Sequence, residues 1–319
     1  MKRIIKLFLI MSLLLVSVSG CNNNNNSNNA VEKNIEIVTT VFPIYDWCRV
    51  LSDDVDKVNI SRLISSSTDM HSYQPTAQDI VKMSTCDVFI YVGGESDEWV
   101  EDALKQAVNK DMVVINLMEV LKSRLVLEEE KQGMEAEEEG EEEEAENDEH
   151  VWLSLRNAMA ACEKITTVLC TVDRDNKDTY QKNLAAYILV LTQLDERYQK
   201  IIDSSRQKTL LFADRFPFRY MCEDYGLDYF AAFKGCSAES EASFETIRFL
   251  SEKVDELGLK AVLRIEGSNG KIAETVVENT ADKNQEILIV NSLQSSLQES
   301  DTYLDTMEDN LNMFEKALS

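Results

Sequence analysis

The chain holds two histidines, His71 in "STDMHSYQPTAQD" and His150 in "NDEHVWLSLRNA". Imidazole is a good ligand for Zn2+ and serves Mn2+ together with carboxylates. His71 stands just before a turn proline, Pro75, and a segment in which Thr76 and Asp79 have the spacing of a capping box. His150 closes a long acidic run and precedes the next helical stretch. Both are therefore expected in loops that lead into helices, where a loop delivers side chains to a cleft, and neither lies on an apolar face. Positions 71 and 150 are 79 residues apart, which is no metal-binding spacing in itself. Taken singly, each histidine reads first as a satisfied surface or turn residue. The sequence has no HExxH helix and no GxSxG elbow, so the chain is not expected to be an enzyme.

The elements that must position these residues alternate in type. "IEIVTT" (35–40), "DVFIYVG" (87–93) and "MVVINL" (112–117) read as strands. Between them "PTAQDIVKM" (75–83) and "SDEWVEDALKQAV" (96–108) read as helices. The same grammar returns late in the chain. Strands are expected at 209–214, 228–233, 260–266 and 286–291, and helices at 243–257, 271–280 and 302–318. Such alternation predicts parallel sheets covered by helices. In the middle, Tyr180, Leu184, Tyr187, Leu191, Leu194, Tyr198 and Ile201 repeat at intervals of 4 and 3, one stripe of a single long helix. The fold expected is α/β: two lobes with parallel sheets, linked by one rigid backbone helix, with a ligand cleft between them. The expected spans are 35–172 for the first lobe, 173–207 for the linking helix and 208–319 for the second lobe.

The formal charge of −26 is unusual for 319 residues. Residues 128–149 hold fourteen Asp or Glu and one Lys, half of that total. Such acidity argues against nucleic acid and suits cations as partners. With almost no apolar residues, this stretch is expected to be a mobile, solvated loop that does not pack. Residues 1–20 read as a signal peptide, with a basic start and the apolar run "LFLIMSLLLVSV". "VSGC" follows, which resembles a bacterial lipobox with Cys21 as the lipidated residue, and residues 21–34, rich in Asn, read as a disordered tether. The other six cysteines contain no CxxC, and free thiols are expected for most of them.

Several long strings, "IVTTVFPIYDW", "DMHSYQPTAQDIVKMSTCDVFIYVGGESDEWVEDAL", "DEHVWLSLRNA", "CSAESEASF" and "TYLDTMEDNL", resemble the metal-binding solute-binding lipoproteins of bacterial ABC transporters for zinc and manganese. The resemblance covers nearly the whole mature chain. It implies a monomer anchored to the extracytoplasmic face of the cell membrane, which captures Zn2+, or Mn2+, and passes it to an ABC permease and its ATPase. It implies His71 and His150 as metal ligands. At the family's third ligand position this chain has Arg215, which cannot ligate, and the neighbouring Asp214 is the expected replacement, an N-cap role being its alternative. At the fourth position stands Asn291, an uncharged donor. Glu266, at the end of a strand, is the expected source of the missing charge, or else a structural partner of an arginine. These two departures leave open a second reading, a surface adhesin or sensor with a degenerate metal site.

Overall fold

A computed structural model of the chain describes residues 34–64, 68–135, 146–235, 241–294 and 300–319. The signal peptide, Cys21, most of the tether and Cys236 lie outside the described residues, as does the middle of the acidic stretch, 136–145.

The first lobe runs β1 (Ile35–Thr39), α1 (Phe42–Leu51), β2 (Val58–Arg62), α2 (Ala77–Thr85), β3 (Val88–Tyr91), α3 (Trp99–Lys105), β4 (Val113–Asn116) and the short α4 (Leu117–Val120). Two helices follow, α5 (Leu155–Val172) and α6 (Lys177–Ser204). The second lobe runs β5 (Thr209–Phe216), α7 (Arg219–Tyr225), β6 (Asp228–Lys234), α8 (Phe244–Leu257), β7 (Ala261–Ile265), α9 (Lys271–Asn279), β8 (Glu286–Val290) and α10 (Tyr303–Ala317). The first sheet has the order β2-β1-β3-β4 and the second β6-β5-β7-β8, and every pairing is parallel. The described residues belong to one compact unit, Asn34–Ser319. Among them no helix is long and apolar enough to cross a membrane.

The expected strands and major helices are present. The capping box also forms, with Thr76 accepting from the Asp79 N–H and Asp79 accepting from the Thr76 N–H. β2 and α7 are among the elements not anticipated. β2 is an edge strand with no fully buried residue, so it lacks the apolar run by which the central strands are recognised. α7 is only seven residues long and stops at Gly226, in the left-handed region at φ +67°.

α6 is 28 residues long, about 42 Å at about 1.5 Å per residue. It buries Tyr180, Tyr187, Leu191, Leu194, Tyr198 and Ile202. Its contacts reach α1 and α5 on one side and α7 and α10 on the other, so one rigid rod braces both halves. A polar seam runs beside it. The Asp46 carboxylate on α1 accepts the Tyr303 N–H at the start of α10, at 2.8 Å, and also holds Arg49. An anion is favoured there because the first N–H groups of a helix have no partner within it. The Tyr198 hydroxyl donates to the Met307 carbonyl at 2.6 Å.

The flanks of the acidic stretch do pack, contrary to expectation. Leu127 and Asn147 form an antiparallel bridge, and residues 131–135 cross to the second lobe. There the Glu135 N–H donates to the Ala232 carbonyl at 2.9 Å, on the edge strand β6. The Lys131 ammonium pairs with Asp228 and lies 4.0 Å from the centre of the Tyr229 ring. Met134 is buried. An unpaired strand edge, one cation and one apolar side chain suffice to dock this limb, despite the surrounding carboxylates.

Cys48, Cys86, Cys162, Cys170 and Cys222 are all free, and four of them are buried.

Replacing Asp46 with Ala leaves the Tyr303 N–H buried without an acceptor. The expected loss is about 1–3 kcal/mol, measured by urea denaturation of the metal-free protein.

Candidate metal site between the two sheets

The chain before α2 carries His71 in a single 3-10 turn, Met70–Ser72. Met70 is buried, and the Asp69 carboxylate accepts the His71 N–H at 3.1 Å, which holds the turn at both ends. His150 is fully buried just ahead of the turn Val151–Leu153. The Asp148 carboxylate accepts both its backbone N–H, at 2.8 Å, and its ring Nδ1–H, at 3.0 Å. Gly235, after β6, lies against the ring: a Cβ there would meet the Phe216 carbonyl oxygen at 2.8 Å and His150 Cε1 at 3.1 Å.

The two imidazoles meet. Their Nε2 atoms are 3.3 Å apart, with ring planes inclined at 57°. The groups behind each ring determine what faces this gap. Asp148 can only accept, so His150 carries its proton on Nδ1 and presents a lone pair at Nε2. His71 Nδ1 lies 2.8 Å from the Ser96 hydroxyl, which in turn donates to Glu149 at 2.5 Å. A serine that gives its proton to Glu149 accepts the Nδ1–H of His71, so this ring also turns a lone pair to the gap. Two lone pairs at this distance repel unless a cation lies between them. Zn–N bonds are about 2.05 Å long, so nitrogens 3.3 Å apart subtend about 107° at the metal, against about 109° for a tetrahedron.

The third group at this point is the side-chain amide of Gln294, 2.5 Å from His150 Nε2 and 3.3 Å from His71 Nε2. An amide can present its NH2 to the lone pairs or, turned over, its oxygen to a metal. Gln294 comes from the loop after β8. That loop is held by the Trp152 indole N–H, which donates to the Ser292 carbonyl at 2.8 Å, and by Leu293, which is fully buried at φ +60°. A bulky residue in the left-handed region is strained and marks a loop held for a purpose. Sequence reasoning missed Gln294. Its signal was faint: a polar residue three positions beyond Asn291, which stands at the family's fourth ligand position.

The carboxylates expected as ligands are used elsewhere. Asp214 follows an irregularity in β5, between Phe212 and Arg215, where the ladder breaks. Its two oxygens accept the N–H groups of Arg215, at 2.9 Å, and of Ile265 on β7, at 3.2 Å. In this structure both of its oxygens serve the sheet. Glu266 accepts the Ser292 N–H at 2.7 Å and the Ser292 hydroxyl at 2.6 Å. It holds the loop that carries Gln294. Asn291 closes the same turn by accepting the Leu293 N–H. Among the described residues no three His, Cys, Asp or Glu side chains gather to hold a metal, and the third side chain beside the two imidazoles is the Gln294 amide. Arg215 reaches across to Asp69, at 2.7 Å, and ties the second lobe to the turn that bears His71.

Charge follows the same plan. Burial pushes His71 down to about 3, helped by His150 and Arg215 and opposed by Asp69. Burial would also lower His150, but Asp148, then Glu149 and Glu128, outweigh it and the net shift is upward. Near neutral pH the pair therefore takes up at most one proton beyond the one that each neutral ring carries, and takes it on His150. Burial lifts Glu149 to about 7, against its hydrogen bonds from Ser96.

Two parallel-sheet lobes with donor groups meeting between them define a bilobal solute-binding protein. The chain belongs to the family described as zinc-uptake complex component A, periplasmic, whose model matches residues 37–317. It is 29% identical over 307 residues to the high-affinity zinc uptake system protein ZnuA of Bacillus subtilis (strain 168), covering 94% of this chain and 93% of that one. It is 29% identical over 316 residues to the zinc-binding lipoprotein AdcA of Streptococcus pneumoniae R6, covering 97% of this chain but only 60% of that longer relative. Among solved structures, the Zn(II)-bound ZnuA-like domain of S. pneumoniae AdcA superposes with a TM-score of 0.71 at 27% identity, over 89% of this chain and 99% of that one. The lipoprotein YcdH of B. subtilis superposes with a TM-score of 0.72 at 26% identity, over the same two shares.

Asp148→Asn removes the charge that raises His150. Its titration midpoint is expected to fall in NMR of the metal-free protein, with His71 still neutral near pH 7.

Proposed function

We propose that this chain captures Zn2+ outside the cytoplasm and delivers it to an ABC permease and its ATPase, while a lipid on Cys21 anchors it to the membrane. The observation that carries this reading is the meeting of the two Nε2 atoms, 3.3 Å apart, from residues 79 positions apart in the chain. His71 and His150 supply two nitrogens and Gln294 an amide oxygen. Imidazoles suit Zn2+, and the absence of a hard carboxylate from the trio disfavours Mn2+. The zinc named in the relatives ZnuA and AdcA agrees with this cargo. A site with three neutral donors also suits a carrier, which must release what it binds.

The test is competition against a chromophoric zinc chelator with purified protein lacking residues 1–20. Wild type is expected to take up one zinc, and the His71→Ala/His150→Ala double variant none. Equal and weak binding by both proteins would leave the second reading, an adhesin or sensor on this scaffold. What favours that reading is the pairing of Arg215 with Asp69 where the family places a ligand.

Two further outcomes are expected. Gln294→Glu supplies the missing anionic oxygen and tightens zinc binding in the same assay. Zinc must also displace the one proton of the histidine pair. Below the raised midpoint of His150 the affinity therefore falls about tenfold per pH unit, readable by calorimetry in buffers of different ionisation enthalpy.

A further inference from the structure

Glu149 has no part in the trio, yet the structure around it is built to hold it. It is 3% exposed. One carboxylate oxygen accepts the Ser96 N–H at 2.8 Å and the other the Ser96 hydroxyl at 2.5 Å. The second oxygen lies 3.6 Å from His71 Nδ1. The turn that grips it, Gly93–Asp97, is itself pinned, because Asp97 accepts the N–H groups of Val92 and Gly93, both at 3.0 Å. Gly94 has φ +81°, and a Cβ there would lie 2.3 Å from a Glu149 oxygen, so only glycine leaves room for the carboxylate. A buried carboxylate needs partners that favour it. Here both oxygens are taken by one serine, and that serine's remaining contact is the inner nitrogen of His71.

We propose that Glu149, acting through the Ser96 hydroxyl, is the positioning residue of His71: it sets the Nδ1–H tautomer and turns Nε2 to the cation. Asp148 does the same for His150 directly, so neighbouring residues 148 and 149 serve the two rings. Both rings then have a carboxylate behind them, and the site gains negative charge without an anionic ligand. A carboxylate behind a ligating imidazole raises its basicity and fixes its direction. The identity of the cation rests on the function proposed above. The tautomer does not.

The experiment is long-range 1H–15N NMR of 15N-histidine-labelled, metal-free protein, above the midpoints of both histidines, combined with zinc competition. Wild type is expected to show Nδ1–H at both rings. Ser96→Ala and Glu149→Ala are expected to move His71 toward Nε2–H, to leave His150 at Nδ1–H as the internal control of folding, and to weaken zinc about 10–100-fold. Glu149→Gln offers one acceptor oxygen where the carboxylate offers two, so one of the two Ser96 bonds is lost, and zinc is expected to weaken through the lost charge. It also serves if the alanine variants do not fold. An unchanged His71 tautomer in the Ser96→Ala variant overturns the proposal, whatever happens to zinc. So does unchanged zinc affinity in the Glu149→Gln variant. A tautomer shift in a protein whose wild type binds no zinc supports the positioning role and removes the cargo.

Discussion

Two nitrogen lone pairs held 3.3 Å apart are the constraint on which the rest of this molecule depends. Left alone, such an arrangement is repulsive. It persists because each ring is fixed from behind, His150 by Asp148 and His71 by Ser96. Turning a ring proton inward breaks the Asp148 bond behind His150 and, at His71, costs the bond from Ser96 to Glu149. The strain that remains is relieved by a cation, whether a metal or one proton. This is why a binding site needs rigid surroundings: the loops must resist the repulsion until the ligand arrives.

That rigidity comes from the seam. α6 spans the molecule and packs against helices of both lobes. Trp152, two residues beyond His150, donates to Ser292, two residues before Gln294, so one indole N–H sets the distance between two of the three donors. Glu266 then holds Ser292 from the other side. Tyr303, at the start of the last helix, donates its hydroxyl to the Trp152 carbonyl at 2.6 Å and its N–H to Asp46. The bonds of Trp152 and Tyr303 are buried, where an unmade hydrogen bond costs most. The donors are therefore placed by a chain of bonds running through both lobes.

The distribution of charge is unusual for a cation site. The trio itself is neutral, yet carboxylates stand one bond further out, behind both histidines. Arg215 is balanced by Asp69. Burial raises Glu149 and Glu266 while the ion pair lowers Asp69. Negative charge held at this remove attracts a divalent ion without closing its coordination sphere. The near limb of the acidic stretch is docked on β6 through Lys131, Met134 and Glu135.

Much of this was legible in the chain itself. Alternating apolar runs and capped helices specify the lobes, because strand and helix periods are local properties of neighbouring residues. The 4, 3 stripe from Tyr180 specifies α6 for the same reason. The two histidines stood out by rarity, and their surroundings placed both in loops. The partners of those histidines were not legible. Asp214 and Glu266 have the chemistry of ligands, but a break in β5 and a loop after β8 claim their oxygens for backbone N–H groups. Gln294 has no local mark of a ligand and reaches the two imidazoles only because Trp152 and Glu266 hold its loop. Sequence alone determined which side chains were available and which elements would carry them. The tertiary structure decided which of them meet, because hydrogen bonds between residues more than a hundred positions apart, such as Trp152 to Ser292, have no trace in local pattern.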